Sequence, residues 1–183
     1  MQAFIGPPKR IPLLLKIGIW FSERVTGKIM LPARILSWYP KAAIGSGVME
    51  ALVAHADGNM DARILKLIRM TASIAAACPF CIDMNSHGHR AHGITDEEAA
   101  SLRDDADAER VATFSEREKL AIAYTRLVSS TPLKFRPEIV DRVKAAFTER
   151  EFVILVSAAA QVNYWARLIQ ALGIPPAGFG DDY

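Results

Sequence analysis

Apolar residues along this chain recur at helical spacing, and no stretch alternates as a half-buried strand would. Leu120, Tyr124, Leu127 and Val128 fall on one face of a helix, and Ile139, Val140, Val143 and Phe147 on one face of another. Upstream, residues 61–77 carry Ile64, Leu65, Ile68 and Ile74 in a helical pattern, and residues 40–54 read as a further helix. Three helix starts are written as capping boxes: Thr95 with Glu98, Ser115 with Glu118, and Thr148 with Glu151. In each pair the two side chains satisfy amides that the first turn leaves free. Gly93, and Gly173 ahead of Ile174-Pro175-Pro176, mark helix ends.

The pattern predicts an all-α bundle of about eight helices with short connections. A single domain over residues 1–183 is expected, with 1–39 as an N-terminal helical extension. The best candidate for a hinge, residues 131–137, is too short to separate domains. Residues 9–30 are basic and amphipathic, with Lys9, Arg10, Lys16, Arg24 and Lys28 among Leu13, Leu14, Leu15, Ile17, Ile19, Trp20 and Phe21. Such a stripe packs on its own domain or a neighbouring subunit, or lies on a membrane surface.

A chain of 183 residues, 51% apolar, is long enough to bury one sizeable core. Net charge is only +2 and the basic residues are spread along the sequence, so the footprint of a nucleic-acid binder is missing. With no leader-like segment and no run of 18 apolar residues, a soluble cytoplasmic protein is expected.

The candidate chemistry lies in Ala77-Cys78-Pro79-Phe80-Cys81, which holds both cysteines of the chain. Two thiols at this spacing meet across one helical turn, and a disulfide between them opens readily by exchange. Pro79 suits the first turn of a helix, which puts Cys78 at the start of a helix running to about His92. There, unpaired amides and the helix dipole favour an exposed, reactive thiolate. Burial of both cysteines as small apolar side chains is the plain alternative. Zinc is a third reading, because His87, His89 and His92 follow closely. On one continuous helix, however, His89 lies roughly 12 Å beyond Cys81 and His87 faces another side, so four ligands do not converge. No metal or cofactor is expected. His55 is too distant in sequence to place. Trp38, Tyr39, Met49, Phe80 and Met84 are candidates for a pocket lining or, more ordinarily, for core packing.

Cys78-Pro79-Phe80-Cys81-Ile82-Asp83-Met84-Asn85, followed by Gly93-Ile94-Thr95-Asp96-Glu97-Glu98, resembles the thiol motif of the carboxymuconolactone decarboxylase superfamily, in its alkylhydroperoxidase AhpD-like branch. Phe114-Ser115-Glu116-Arg117-Glu118, and Asn163-Tyr164-Trp165-Ala166-Arg167 before Leu172-Gly173-Ile174-Pro175, resemble its C-terminal pattern. The resemblance implies an all-helical fold assembled as trimers or hexamers, with the site near a subunit contact. It also implies a thiol peroxidase or disulfide reductase in which Cys81 is oxidised, Cys78 resolves it as a disulfide, and a partner dithiol protein reduces the pair. The branch relays protons through a histidine four residues after the second cysteine and a glutamate about twelve before the first; this chain has Asn85 and Lys66 there. An amide takes up no proton near neutral pH and a lysine is ordinarily already charged. Asn85 is left to hydrogen-bond a thiolate or a peroxide, and Lys66 either to favour a thiolate by its charge or to sit solvated on its helix.

Three functions follow. The first is an enzyme reducing peroxides or disulfides; the second is a decarboxylase-like lyase acting on a small carboxylated lactone. The third is a non-catalytic helical oligomerisation or membrane-surface module.

Overall fold

The computed structural model describes residues 2–53 and 58–180. Among these the chain is all helical: ten α-helices and one short 3-10 turn, with no strand. This exceeds the eight expected, because short helices between residues 87 and 115 carry too few residues to show a periodicity. The helices are α1 (Leu13–Thr26), α2 (Leu31–Leu36), α3 (Pro40–Val53), α4 (Ala62–Ala75) and α5 (Pro79–Ser86). After the 3-10 turn His89–His92 come α6 (Asp96–Ser101), α7 (Asp105–Arg110), α8 (Glu116–Ser129), α9 (Pro137–Ala146) and α10 (Glu149–Ala171). Ala54 and His55 lie outside the described residues.

All three capping boxes form as written, at Thr95, Ser115 and Thr148. Asp61 starts α4 by accepting from the amides of Arg63 and Ile64. From Ile64 to Ser73 every residue of α4 except Lys66 is buried, as expected of a helix enclosed on all sides. It packs against α8, α10 and α5. The longest helix, α10, is apolar enough by length and composition to cross a membrane. Here its stripe Leu155, Ala158, Ala159, Val162, Ala166 and Ile169 belongs to the core.

The N-terminal extension folds back onto the bundle. Arg34 pairs with Glu23 through two bonds of 2.7 and 2.8 Å, joining α2 to α1, and Ile35 packs among the residues around the cysteines. Only Leu15 and Ile19 of α1 are buried. Its outer face shows Leu13, Leu14, Ile17, Trp20, Phe21 and Val25, and beside it α3 exposes Ile44, Val48 and Leu52 one turn apart.

Candidate active site

The turn that delivers the cysteines is sharp. α4 ends at Ala75, and Ala77 takes the left-handed conformation at φ 47°, a geometry that costs a residue with a Cβ about 1–2 kcal/mol. The Cys78 amide donates back to the Ser73 carbonyl at 3.2 Å, which sets Cys78 as the N-cap of α5 with Pro79 in the first turn. Cys78 and Cys81 are joined as a disulfide with their Cα atoms 5.2 Å apart, and the Cys81 amide donates to Cys78 Sγ at 3.3 Å. That amide would hold a thiolate at Cys78 when the bond opens.

The pair is not exposed, contrary to the reading from sequence. Cys78 is 0% and Cys81 2% accessible, within a cluster of Ile35, Phe80, Ala166, Ile169 and Ile174. The cover comes from the two ends of the chain. Ala3 and Ala177 pack against this cluster, and the Phe4 amide donates to the Leu172 carbonyl at 3.0 Å. Asp83 Oδ2 accepts from the amides of Gly178 and Phe179 at 2.8 and 3.1 Å, hanging the C-terminal segment over α5. Gly173 is left-handed at φ 63°, and any Cβ there would meet the Phe4 ring at 2.6 Å.

Behind the sulfurs lies a polar network that sequence reasoning did not find. Asn85, one turn beyond Cys81 and buried, accepts from Arg69 Nε at 3.0 Å and donates to Ser73 Oγ at 2.8 Å. Arg69 also donates to Gln161 at 3.1 Å and to Glu50 at 3.3 Å. Glu50 in turn accepts from Gln161 and, at 2.8 Å, from the Trp165 indole. Burial pulls the Arg69 guanidinium below its usual range, and Glu50 pushes back. Two sequence cues existed: Arg69 is a lone guanidinium in the apolar run of α4, and Glu50 is the sole acid of α3. Neither says that α3, α4 and α10 meet there.

Lys66 stands apart from the sulfurs. Its ammonium donates to the His87 carbonyl at 2.6 Å, at the C-terminal end of α5, where a cation complements the helix dipole. Burial, aided by the charge of Arg69, lowers it to about 8, so it is neither solvated nor fixed in its charge. The helix expected to reach His92 ends at Ser86. His87 turns out of it and Gly88 is left-handed at φ 69°. The three histidines then diverge: His87 bonds to the Phe179 carbonyl, His89 to the Ser86 carbonyl and Asp96, and His92 to the Gly88 carbonyl. Cys81 and the three histidines therefore do not share one continuous helix; among the described residues no three His, Cys, Asp or Glu side chains are grouped as metal ligands. Of the aromatic and methionine candidates, Phe80 is buried and Met84 packs against the cysteine cluster. Trp38 and Tyr39 are exposed.

A helical bundle presenting a Cys-x-x-Cys disulfide at a helix start defines the class. Residues 46–126 match the carboxymuconolactone decarboxylase family, and the chain has the fold of solved AhpD-like proteins. Among its relatives, protein YnjA of Escherichia coli K12 is 23% identical over 174 residues, covering 95% of this chain and 94% of that protein. Protein YdfG of Bacillus subtilis 168 is 27% identical over 140 residues, covering 75% and 93%. The apo debrominase Bmp8 superposes with a TM-score of 0.81 at 17% identity, over 96% of this chain and 93% of its own. A peroxidase-related protein with an alkylhydroperoxidase AhpD core, from Ralstonia eutropha JMP134, superposes at 0.79 and 14% identity over 96% and 93%.

Proposed function

We propose that this protein is a thiol oxidoreductase that reduces peroxides or disulfides through Cys78 and Cys81. The observation that carries the reading is the disulfide at the N-terminus of α5, with Cys78 as its cap and Arg69 bonded to Asn85 one turn beyond Cys81. In the reduced protein the Cys81 thiolate attacks the peroxide oxygen, the O–O bond breaks, and the alkoxide leaves as the alcohol. Cys78 then attacks the sulfenic sulfur of Cys81 and displaces water. Two thiols and one peroxide thus give one disulfide, one alcohol and one water, and the protons lost by sulfur are those the product oxygens take up. No side-chain base is needed to close that balance. What the site supplies is a standing positive potential from Arg69, which favours thiolate over thiol, with Asn85 held between Arg69 and Ser73.

The return step requires an external dithiol protein, which supplies two electrons and two protons. Its thiolate attacks Cys81, and Cys78 leaves as the sulfur with the amide cap, the better leaving group. A reducing compartment such as the cytoplasm suits this cycle. The exposed apolar faces of α1 and α3 support assembly with further copies of this chain, as trimers or hexamers, in preference to lying on a membrane.

Mass spectrometry of the reduced protein after one equivalent of peroxide tests the reading. A loss of two hydrogens whose yield does not change on dilution is expected, and in Cys78→Ser a sulfenic acid trapped at Cys81. Two free thiols surviving peroxide would overturn this reading, and activity on a carboxylated lactone retained after both cysteines become serine would replace it with a lyase.

A further inference from the structure

A concavity lies away from the sulfurs, between α7, α8 and α9. It is a cleft of about 520 Å³, within the usual range for small-molecule sites. Its floor is apolar, formed by Leu120, Leu127 and Ile139 with Ile122 and Ala123. Its walls carry Lys119, Arg126, Lys134, Arg136 and Arg142 against Glu109 and Glu116. In a chain whose net charge is only +2, this one cleft therefore holds a surplus of three positive charges. The cations are scattered in sequence from 119 to 142, and the fold of α8 onto α9 gathers them.

Lys119 pairs with Glu116 at 3.4 Å, but Lys134, Arg136 and Arg142 have no carboxylate within 4.0 Å among the described residues. Arg126 is pinned in the wall by donating to the Leu102 carbonyl at 2.8 Å and the Asp104 carbonyl at 3.4 Å. The first turn of α9 opens beside Arg136, whose side chain caps none of its amides, adding the positive end of a helix dipole. Like charges held around an apolar floor repel one another, and an anion with an apolar body relieves both the repulsion and the exposed floor.

We propose that the cleft between α7, α8 and α9 binds an amphipathic organic anion, its carboxylate or phosphate head against Arg136, Arg142 and Lys134 and its apolar body on Leu120, Leu127 and Ile139. The assignment is independent of the thiol chemistry.

Titration of the whole protein with octyl phosphate, octanoate and neutral octanamide, followed by methyl-resolved NMR, tests it. Both anions are expected to shift the methyl signals of Leu120, Leu127 and Ile139. Octanamide should bind at least about tenfold more weakly, which corresponds to roughly 1.4 kcal/mol. Arg136→Glu with Arg142→Glu, both at exposed positions, should weaken the anions by a similar factor or more. Replacing both cysteines with serine should leave binding unchanged. If the charge-reversed protein fails to fold, Lys134→Gln with Arg136→Gln replaces it, with a smaller loss expected. Equal binding of octanamide, shifts confined to Leu13, Leu14 and Ile17 of α1, or anion affinity indifferent to the arginine changes would each overturn the proposal.

Discussion

Two arginines on α4, six residues apart, anchor two polar networks built on different principles. Arg63 is held by two buried carboxylates: it bonds to Glu98 at 2.7 Å, to Glu118 at 2.6 Å and to the Gly93 carbonyl. Glu98 and Glu118 are also the carboxylates that close the capping boxes of α6 and α8. Burial pushes Glu98 up, but Arg63, Thr113 and the Thr95 amide outweigh it and hold the carboxyl low. The network is thus a closed clamp joining three helix starts. Arg69 instead meets the side-chain amides of Asn85 and Gln161 and the carboxylate of Glu50, whose side chain is 31% exposed. Through Asn85 it is tied to the helix that carries Cys81. An arginine gripped by two buried carboxylates stiffens a fold, whereas one tied to a reactive helix through an amide can lend it a potential that a neighbouring group feels.

The comparison breaks most visibly in stability. Arg63→Met should cost about 3–5 kcal/mol, because it strands Glu98 and Glu118 in the interior, and urea denaturation would read this as a lower midpoint. In the protein that remains folded, cysteine alkylation should be unchanged. A loss under about 1 kcal/mol would mean the clamp is not one.

The Arg69 network should respond in reactivity, with opposite signs for its two charges. Arg69→Met removes the cation and should move the pH midpoint of Cys81 alkylation in the reduced protein up by about one unit, equivalent to roughly 1.4 kcal/mol. Glu50→Gln removes one carboxylate from Arg69 and should move it down. A purely structural network would shift both variants the same way.

Lys66 gives a smaller effect, visible in pH. Its ammonium is at about 8 in the folded protein against an ordinary 10.5, so unfolding takes up a proton between those two values. Stability of the native chain relative to Lys66→Met should therefore rise as pH increases from about 8 to about 10.5, and be flat below 8. Denaturation midpoints of the pair across that range would show the slope or its absence.

The smallest effect is at the turn beside the cysteines. Ala77→Gly relieves a left-handed alanine and should add up to about 1 kcal/mol, read as a slightly higher melting temperature. No equivalent gain is available at the Arg63 end, where Asp61 already caps α4 with ordinary geometry.

Much of the fold is legible because its signals are local. Each capping box needs only four residues, and the thiol pair with its proline states its own place at a helix start. What could not be read depends on distant partners. Asn85 looks like a lost relay until Arg69, Ser73 and Glu50 are set around it, and they arrive on α4 and α3. The end of α5 at Ser86 is fixed by Gly88, by Lys66 twenty-one residues upstream and by Phe179 near the other end. The thiols read as exposed because the residues that cover them, Ala3, Ile174 and Ala177, lie at the extremes of the sequence. The cleft of α8 and α9 was hidden for the same reason, since its cations look evenly scattered along the chain.

The covering of the disulfide has a kinetic meaning. In the proposed cycle, with both sulfurs beneath the segment that Asp83 holds through two amides, a partner thiol would have to wait for that segment to lift before it collides productively. Re-reduction should therefore stop accelerating at high partner concentration and level off at the rate of lifting, and loosening the Asp83 tether should raise that plateau while leaving the sulfur chemistry itself alone.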